Sequence, residues 1–497
     1  MNKIISTLKK HTTLSWILGF QFFRLVLLPF MGLMPQDAYY YLYGQNLSLS
    51  YFDHPGMIGY LLRLFSEVLG QSVFVVKFTD FFITSLTIYS FHKLVLVFLP
   101  KRKAQNAMLL LVSTIFISIL SFNSTPDVPL MLFWTLSILC LYRAIFQHKK
   151  WYWILAGITM GLAFVSKYTG ILLQFGLIAF LLFSNNYRKL YLSPWLWISL
   201  VISIGVTFPV WWWNYQNEFA SFTFQSSART GEISKFKFHP NFLLGAVTHQ
   251  LLLLLPTLFF AFIVMAFKHI KKVVTKFKLP SEKTRFLLAF FLPTFIGFML
   301  ITPIYWVKLN WFMPSYISGI IIVAMYLSKK IIKIHLIIAI LLHVVLATEI
   351  LFYLVPVKSD DTWVGWKELS QEVMQLQRQY NHPFIFSADG YKTSAVLNFY
   401  MSERVYAQNI IGLPALHFDY LNDHLQKLEG KNALYIDSDK RFKNSDKREE
   451  VLPTNLNHYF EKIEELDPII LKVGQKNVRK FWVFYCKNTL LIPRPLL

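Results

Sequence analysis

Three acidic residues stand in short polar interruptions of a largely apolar chain. Asp37 lies in Pro35-Gln36-Asp37-Ala38-Tyr39-Tyr40-Tyr41, Asp53 in Tyr51-Phe52-Asp53-His54-Pro55-Gly56, and Asp127 in Asn123-Ser124-Thr125-Pro126-Asp127-Val128-Pro129. A carboxylate held at a membrane edge among tyrosines is partly desolvated and can accept the proton of a hydroxyl. The plainer reading of Asp37 is an interfacial acid that hydrates a loop. Asp53-His54 ahead of a proline can orient a base, contribute to a metal site or close an Asx-type turn. A divalent metal would need further ligands that the sequence does not identify, so the metal question stays open and no cofactor is assigned. Asp127 either serves chemistry or opens the helix that follows, where a carboxylate complements the positive end of the dipole.

The cations are fewer in these interruptions. Lys167, in Phe164-Val165-Ser166-Lys167-Tyr168-Thr169, breaks an apolar hairpin. Such a lysine snorkels, pairs with an acid or holds a lipid phosphate. Arg24, inside the first apolar run, is costly in lipid and needs a partner, so the same choice applies to it. The stretch from Trp213-Asn214 to Asn241 carries Arg229, Lys235 and Lys237 and is the best place for a lid over a substrate. Its Phe219, Phe222 and Phe224 suit interfacial anchoring equally well.

The elements that must position these residues are membrane helices. The chain is 55% hydrophobic and only 15% charged over 497 residues, where a soluble domain carries about one quarter charged residues. Its apolar runs are continuous rather than alternating and are long enough, at about 1.5 Å per residue, for a hydrocarbon layer of about 30 Å. Lipid admits only helices or closed barrels, and continuous runs mean helices. About eleven spans are predicted, near 13–33, 72–99, 104–122, 127–146, 151–166, 169–183, 193–212, 243–267, 286–304, 311–328 and 334–355. The short pair between 151 and 183 reads alternatively as one broken hairpin. The connections alternate between basic ones, such as Lys101-Arg102-Lys103, Lys149-Lys150 and Lys268 to Arg285, and ones nearly free of Lys and Arg. By the positive-inside rule the basic set is cytoplasmic, which places the N-terminus inside and the C-terminal segment outside. The net charge of +22 would suggest nucleic acid in a soluble protein. Here the charge lies between spans on one side, and no nucleic-acid partner is expected. Met1 to Lys10 precedes a long apolar run without a small-residue cleavage site, so the first span is expected to be retained. Cys140 and Cys486 fall too far apart in this topology for a disulfide.

Beyond Pro356 the pattern changes. Phe384-Ile385-Phe386, Ala433 to Ile436 and Phe481 to Tyr485 read as strands, and Trp366 to Tyr380 reads as a polar-faced helix. The expected architecture is an all-α membrane domain over residues 1–355 and a small α/β extracytoplasmic domain over 356–497.

At the interruptions described first, the sequence resembles a known family. Gln36 to Tyr41, Leu49 to Pro55, and Thr125 to Pro129 with Phe133-Trp134 resemble the membrane glycosyltransferases of GT-C fold. Within them the likeness is to the bacterial branch related to protein O-mannosyltransferases and lipid A aminoarabinose transferases. Leu162-Ala163 with Ser166 to Thr169, Trp213-Asn214 with Ser221 to Gln225, and Asn310-Trp311 with Pro314-Ser315-Tyr316 continue it in order, and Gly365-Trp366 and the Tyr391 segment carry it to about residue 400. The resemblance implies a polyprenyl-phosphate sugar donor and transfer to a glycolipid, glycan or protein hydroxyl at the outer face of a bacterial inner membrane. It places the catalytic base at Asp37 and a second acid at Asp127. The mechanism expected on that basis is an inverting in-line displacement, with His54 or Asp53 shaping the loop and Lys167, together with Arg24 or Arg229, offsetting charge on the departing phosphate. Two departures stand out: Gln36 occupies a position where the family has a second acid, and Gly56 follows Pro55 where the family commonly has another proline.

Two other classes fit a many-spanned chain. A secondary transporter or lipid flippase would show duplicated halves and broken midplane helices, and no duplication is visible. A non-catalytic scaffold would have no need of several acids on one face.

Overall fold

The computed structural model describes residues 12–233, 237–277, 279–357, 359–421, 424–439 and 456–490. Seven helices are long and apolar enough to cross a membrane alone, from Thr13–Phe30 to Lys329–Phe352. An eighth crossing is made by two helices, Lys101–Val112 and Ile115–Phe122, bent by 56°. Three shorter apolar helices, Trp151–Ser166, Tyr168–Phe183 and Leu309–Ala324, fill the remaining predicted segments. Each apolar run of the sequence is therefore a helix, while length by itself supports seven or eight crossings.

Close approach in this bundle depends on small residues. Helix α8 (Trp151–Ser166) packs on α10 (Pro194–Gln216) through Gly157 and Gly161. A Cβ on Gly157 would stand 2.4 Å from the Ser199 carbonyl oxygen, and one on Gly161 2.6 Å from the Val206 side chain. In lipid, where there is no hydrophobic drive between helices, such contact is the main source of association.

Two polar interruptions are themselves helical. Pro35–Gln45 forms α2 and Met57–Leu69 forms α3, the latter with Leu64, Val68 and Leu69 exposed on one side, as an interfacial helix requires. The two lock together because a Cβ on Gly44 would sit 2.7 Å from the Gly59 carbonyl oxygen. The stretch expected as a loop after Trp213 likewise contains a helix, α11 (Ala220–Ile233).

After Phe352 the chain builds a five-stranded sheet in the order β2-β1-β3-β5-β4, with β1 Phe384–Phe386, β2 Val405–Tyr406, β3 Ala433–Ser438, β4 Phe460–Val473 and β5 Lys476–Thr489. β1 runs parallel to β2 and β3, and β5 pairs antiparallel with β3 and β4. The three predicted strands and the helix Trp366–Gln379 are present. Strand β4 escaped the sequence reading because it alternates with charged residues and carries Pro468. It lies at the sheet edge, with a register shift between Leu466 and Ile469, where a proline costs no ladder bond.

The sheet unit sits directly on α2. Tyr41 meets Phe399 at 4.9 Å and Tyr39 meets Tyr391 at 4.4 Å between ring centroids, and Gln71 donates to the Phe399 carbonyl at 3.0 Å. One continuous core therefore runs from the bundle into the sheet unit.

Candidate active site

Asp37 is the third residue of α2, behind Pro35 at the first helical position. From there its Oδ2 reaches back to the Met34 N–H at 2.7 Å, satisfying a donor that the helix start leaves orphaned. Its Oδ1 accepts the Ser124 N–H at 2.7 Å, and the Lys77 ammonium closes on Oδ2. Lys77 also donates to the Phe122 carbonyl at 2.6 Å, and both side chains of the pair are fully buried. Asp80, one turn further along the same span, accepts the Ser124 hydroxyl at 2.6 Å. Asp37 is thus the joint between α2, the span Val73–Phe98 and the turn that leads to Asp127. Lys77 and Asp80 escape a search confined to loops. The available signal was a pair of charges three residues apart inside an apolar helix of 26 residues.

Asp127 opens the helix Asp127–Phe146. Its two oxygens each accept Lys167 Nζ at 2.9 Å, and Asn310 Nδ2 adds a third bond at 2.7 Å. Lys167 is 3% exposed. The geometry places it on Asp127 rather than as an open cation.

Asp53 differs from both. Its Oδ1 accepts the hydroxyls of Tyr39, at 2.9 Å, and Tyr43, and its carbonyl accepts Gln225 Nε2 at 2.5 Å. Its own backbone N–H also bonds the carboxylate, Oδ2 takes no hydrogen bond from another described residue, and the side chain is partly exposed. The tyrosines are rigidly held. Tyr43 stacks on Tyr51 with centroids 3.9 Å apart, and the buried His417 ring closes edge-on over both, at 4.9 and 4.7 Å. Burial pushes the Asp53 carboxyl above the usual carboxylate range, while the Tyr43 and Tyr39 hydroxyls and the Lys308 charge pull it back. The Tyr40 hydroxyl lies within electrostatic reach of Asp53, Tyr391 and Asp127. Burial, then Asp53, hold that hydroxyl protonated. The His54 ring lies 6.3 Å from that of Tyr40.

The remaining predicted residues fall elsewhere. Arg24 is fully buried within the bundle, donating to Ser118 Oγ at 3.0 Å, to Gln21 Oε1 at 2.6 Å and to the Val112 carbonyl. It serves the break in the bent span, where the end of a half-helix leaves carbonyls unpaired. Asn214 donates to the Val210 carbonyl at 2.9 Å and accepts the Phe222 N–H at 3.2 Å, and the buried Trp213 meets Tyr420 at 5.5 Å. These two form the fixed corner of a hairpin; the part that covers Asp53 is α11, through Gln225 and the Phe224–Phe52 contact at 4.8 Å. The Arg229 side chain lies outside the described residues. No group of three metal-ligating side chains occurs among the described residues.

Chemically the arrangement offers one accessible carboxylate with a raised proton affinity, two tyrosine hydroxyls (Tyr40 and Tyr391) with no hydrogen bond among the described residues, and a cation at Lys308 within electrostatic reach of Asp53. That set can remove a proton from an acceptor and steady an anionic leaving group.

Residues 53–213 match the dolichyl-phosphate-mannose-protein mannosyltransferase family model, which is about a third of the chain. Lipid A galacturonosyltransferase RgtD of Rhizobium johnstonii is 25% identical over 213 residues, covering 41% of this chain and 43% of that protein. The match thus spans less than half the length of that relative. Among solved structures, ArnT from Cupriavidus metallidurans bound to undecaprenyl phosphate superposes with a TM-score of 0.60 at 13% identity, over 95% of this chain and 97% of that one. Oligosaccharyltransferase AglB from Archaeoglobus fulgidus, in complex with an inhibitory peptide and a dolichol-phosphate, gives 0.50 at 13% identity, over 86% of this chain and 70% of that one. The chain is a multi-pass membrane protein with the GT-C glycosyltransferase fold.

Proposed function

We propose that this protein transfers a sugar from a polyprenyl-phosphate donor to an acceptor hydroxyl, on the outer face of the bacterial inner membrane. Residues 1–355 hold the catalytic bundle, and residues 356–497 form an extracytoplasmic unit that roofs the site. The acceptor oxygen attacks the anomeric carbon in line, the bond from that carbon to the phosphate oxygen breaks, and the lipid phosphate leaves with the bonding electrons. The sugar's anomeric configuration inverts, and the acceptor proton passes to Asp53. Lys308, with Lys167 and Asn310 beneath, offsets the charge that develops on the phosphate.

The observation that carries the assignment of the base is the open Oδ2 of Asp53. Both oxygens of Asp37 and of Asp127 already accept from buried donors, a lysine ammonium among them in each case. Asp37 accordingly acts as the anchor of α2 rather than as the base that the resemblance implies, and Asp127 positions Lys167 and Asn310. The lipid phosphates named with ArnT and AglB support the donor class, and the lipid A relative supports an acceptor in the envelope.

Paired substitutions test this reading. Asp53→Asn is expected to abolish transfer while the purified protein keeps its melting temperature. Asp37→Asn is expected to lower the melting temperature, with residual activity tracking the folded fraction. An active Asp53→Asn, or an inactive Asp37→Asn of unchanged stability, returns the base to Asp37.

A further inference from the structure

The end of the bundle opposite the acids carries a cavity that the proposed reaction does not use. It encloses about 590 Å³ between the second half of the helix Pro240–Lys276 and the ends of Met313–Ala324 and Lys329–Phe352. Its shaft is apolar, with Phe260, Val264, Met265, Val323, Leu327 and Ile331 on its walls. Its mouth is basic. Lys268 and Lys272, one turn apart, are exposed and carry no ion pair among the described residues, and the exposed Tyr326 ring stands with them. No acid lines the cavity.

Its length matches one leaflet. The helix is broken at Leu255-Pro256, and the cavity begins at Thr257, just past that break, and runs to Lys272. Those sixteen residues of continuous helix rise about 22 Å from first to last. From headgroup level to the bilayer midplane is about 20–22 Å. At the deep end Thr257 is held by the His335 ring, whose other nitrogen meets Ser113 at 3.0 Å, so the shaft has a fixed floor. A tyrosine and two lysines at the other end have the composition of an interfacial girdle. A neighbouring cavity of about 330 Å³ on the far flank of the same helix lacks this character, because its Arg285 is tied to Glu282 and to the Phe183 carbonyl.

We propose that this groove binds one anionic phospholipid of the basic-side leaflet, with an acyl chain in the shaft and its phosphate between Lys268 and Lys272. Under the orientation proposed above, that leaflet is the cytoplasmic one. A tail in the groove would wedge between the helix that ends near the basic loops and the short helix Met313–Ala324. The far end of that short helix adjoins Asn310, which bonds Asp127. Lipid occupancy is thereby linked to the site through one rigid element.

The test is native mass spectrometry of the full chain released from nanodiscs of equal phosphatidylglycerol and phosphatidylcholine. Retained lipid is expected to favour phosphatidylglycerol about tenfold, from two lysines at headgroup level. Lys268→Gln with Lys272→Gln should bring the ratio close to parity. Lys149→Gln with Lys150→Gln, an equal charge loss elsewhere among the basic loops, should leave it intact. Ala261→Trp, which fills the shaft, should remove retained lipid of both kinds while circular dichroism stays that of the parent. No preference in the parent, an equal loss in the Lys149/Lys150 pair, or displacement of the retained lipid by added polyprenyl phosphate would each overturn the proposal.

Discussion

Two kinds of carboxylate meet at the acidic end of this bundle. Asp37 and Asp127 are closed: each is buried, each faces a lysine, and each has both oxygens engaged by buried donors. Asp53, on a loop, spends one oxygen on two tyrosines, and no other described residue bonds the second. The difference teaches that an acid in a loop that resembles a catalytic motif can be structural when a span brings a cation to it. The acid that stays available is the one whose partners are neutral donors. Buried ion pairs hold elements in place at the cost of reactivity, while hydroxyl partners orient a carboxylate without neutralising it.

That contrast can be broken most decisively at the closed pairs. Lys77→Met leaves Asp37 buried without its counter-charge and should cost about 3–5 kcal/mol of stability, measured by unfolding in detergent. The double change Lys77→Met with Asp37→Leu should recover most of that loss, because an apolar replacement removes the stranded charge. A single variant as stable as the parent would mean that the pair is not a joint.

The second pair needs its two possible duties separated. Lys167→Met with Asp127→Leu removes the same buried charges together and should keep the fold. Donor affinity in that double variant should fall about tenfold, as befits loss of a charge-assisted contact, with the acceptor's apparent affinity unchanged. An unaltered donor affinity would confine Lys167 to a structural role.

A smaller effect sharpens the description of Asp53. The Tyr39 hydroxyl bonds the ionised carboxylate and so lowers its proton affinity. Tyr39→Phe should therefore move the acid limb of kcat/KM to higher pH, since Asp53 would need a higher pH to ionise. In the parent that limb should already lie above the pH at which an ordinary aspartate titrates. A limb that stays put in the variant would remove Asp53 from the rate profile.

The smallest effect concerns the roof. Burial, followed by the nearby Arg404, lowers His417 to about 3. Its neutral form is the one that packs on Tyr43 and Tyr51, whereas the unfolded chain protonates near 6.5. Stability from this group is fully present above about pH 6.5 and declines as pH falls toward 3. His417→Phe should flatten the pH dependence of the melting temperature across that window, and an unchanged slope would place the dependence elsewhere.

Much of this molecule was legible beforehand. Continuous apolar runs could only be helices in lipid, and each predicted run is one. The polar interruptions do converge, since Asp37 accepts from the turn that leads to Asp127, and Tyr40 feels the charge of both Asp53 and Asp127. The helices Pro35–Gln45 and Ala220–Ile233 were not legible, because their tyrosines, glycines, serines and glutamines carry little amphipathic pattern. Arg24 shows the same limit from the other side. A charge in a span announces a partner, but Ser118 and the Val112 carbonyl lie about ninety residues away in sequence.

By itself the sequence determined which solvent each segment needs, since hydrocarbon length and backbone satisfaction are local, additive properties of a run of residues. It also placed several acids at one face through the alternation of basic and non-basic connections. Which carboxylate remains open was decided only by tertiary structure. That outcome depends on whether Lys77, Lys167 or a tyrosine hydroxyl arrives opposite each oxygen, and pairings between distant spans leave no periodicity in the chain.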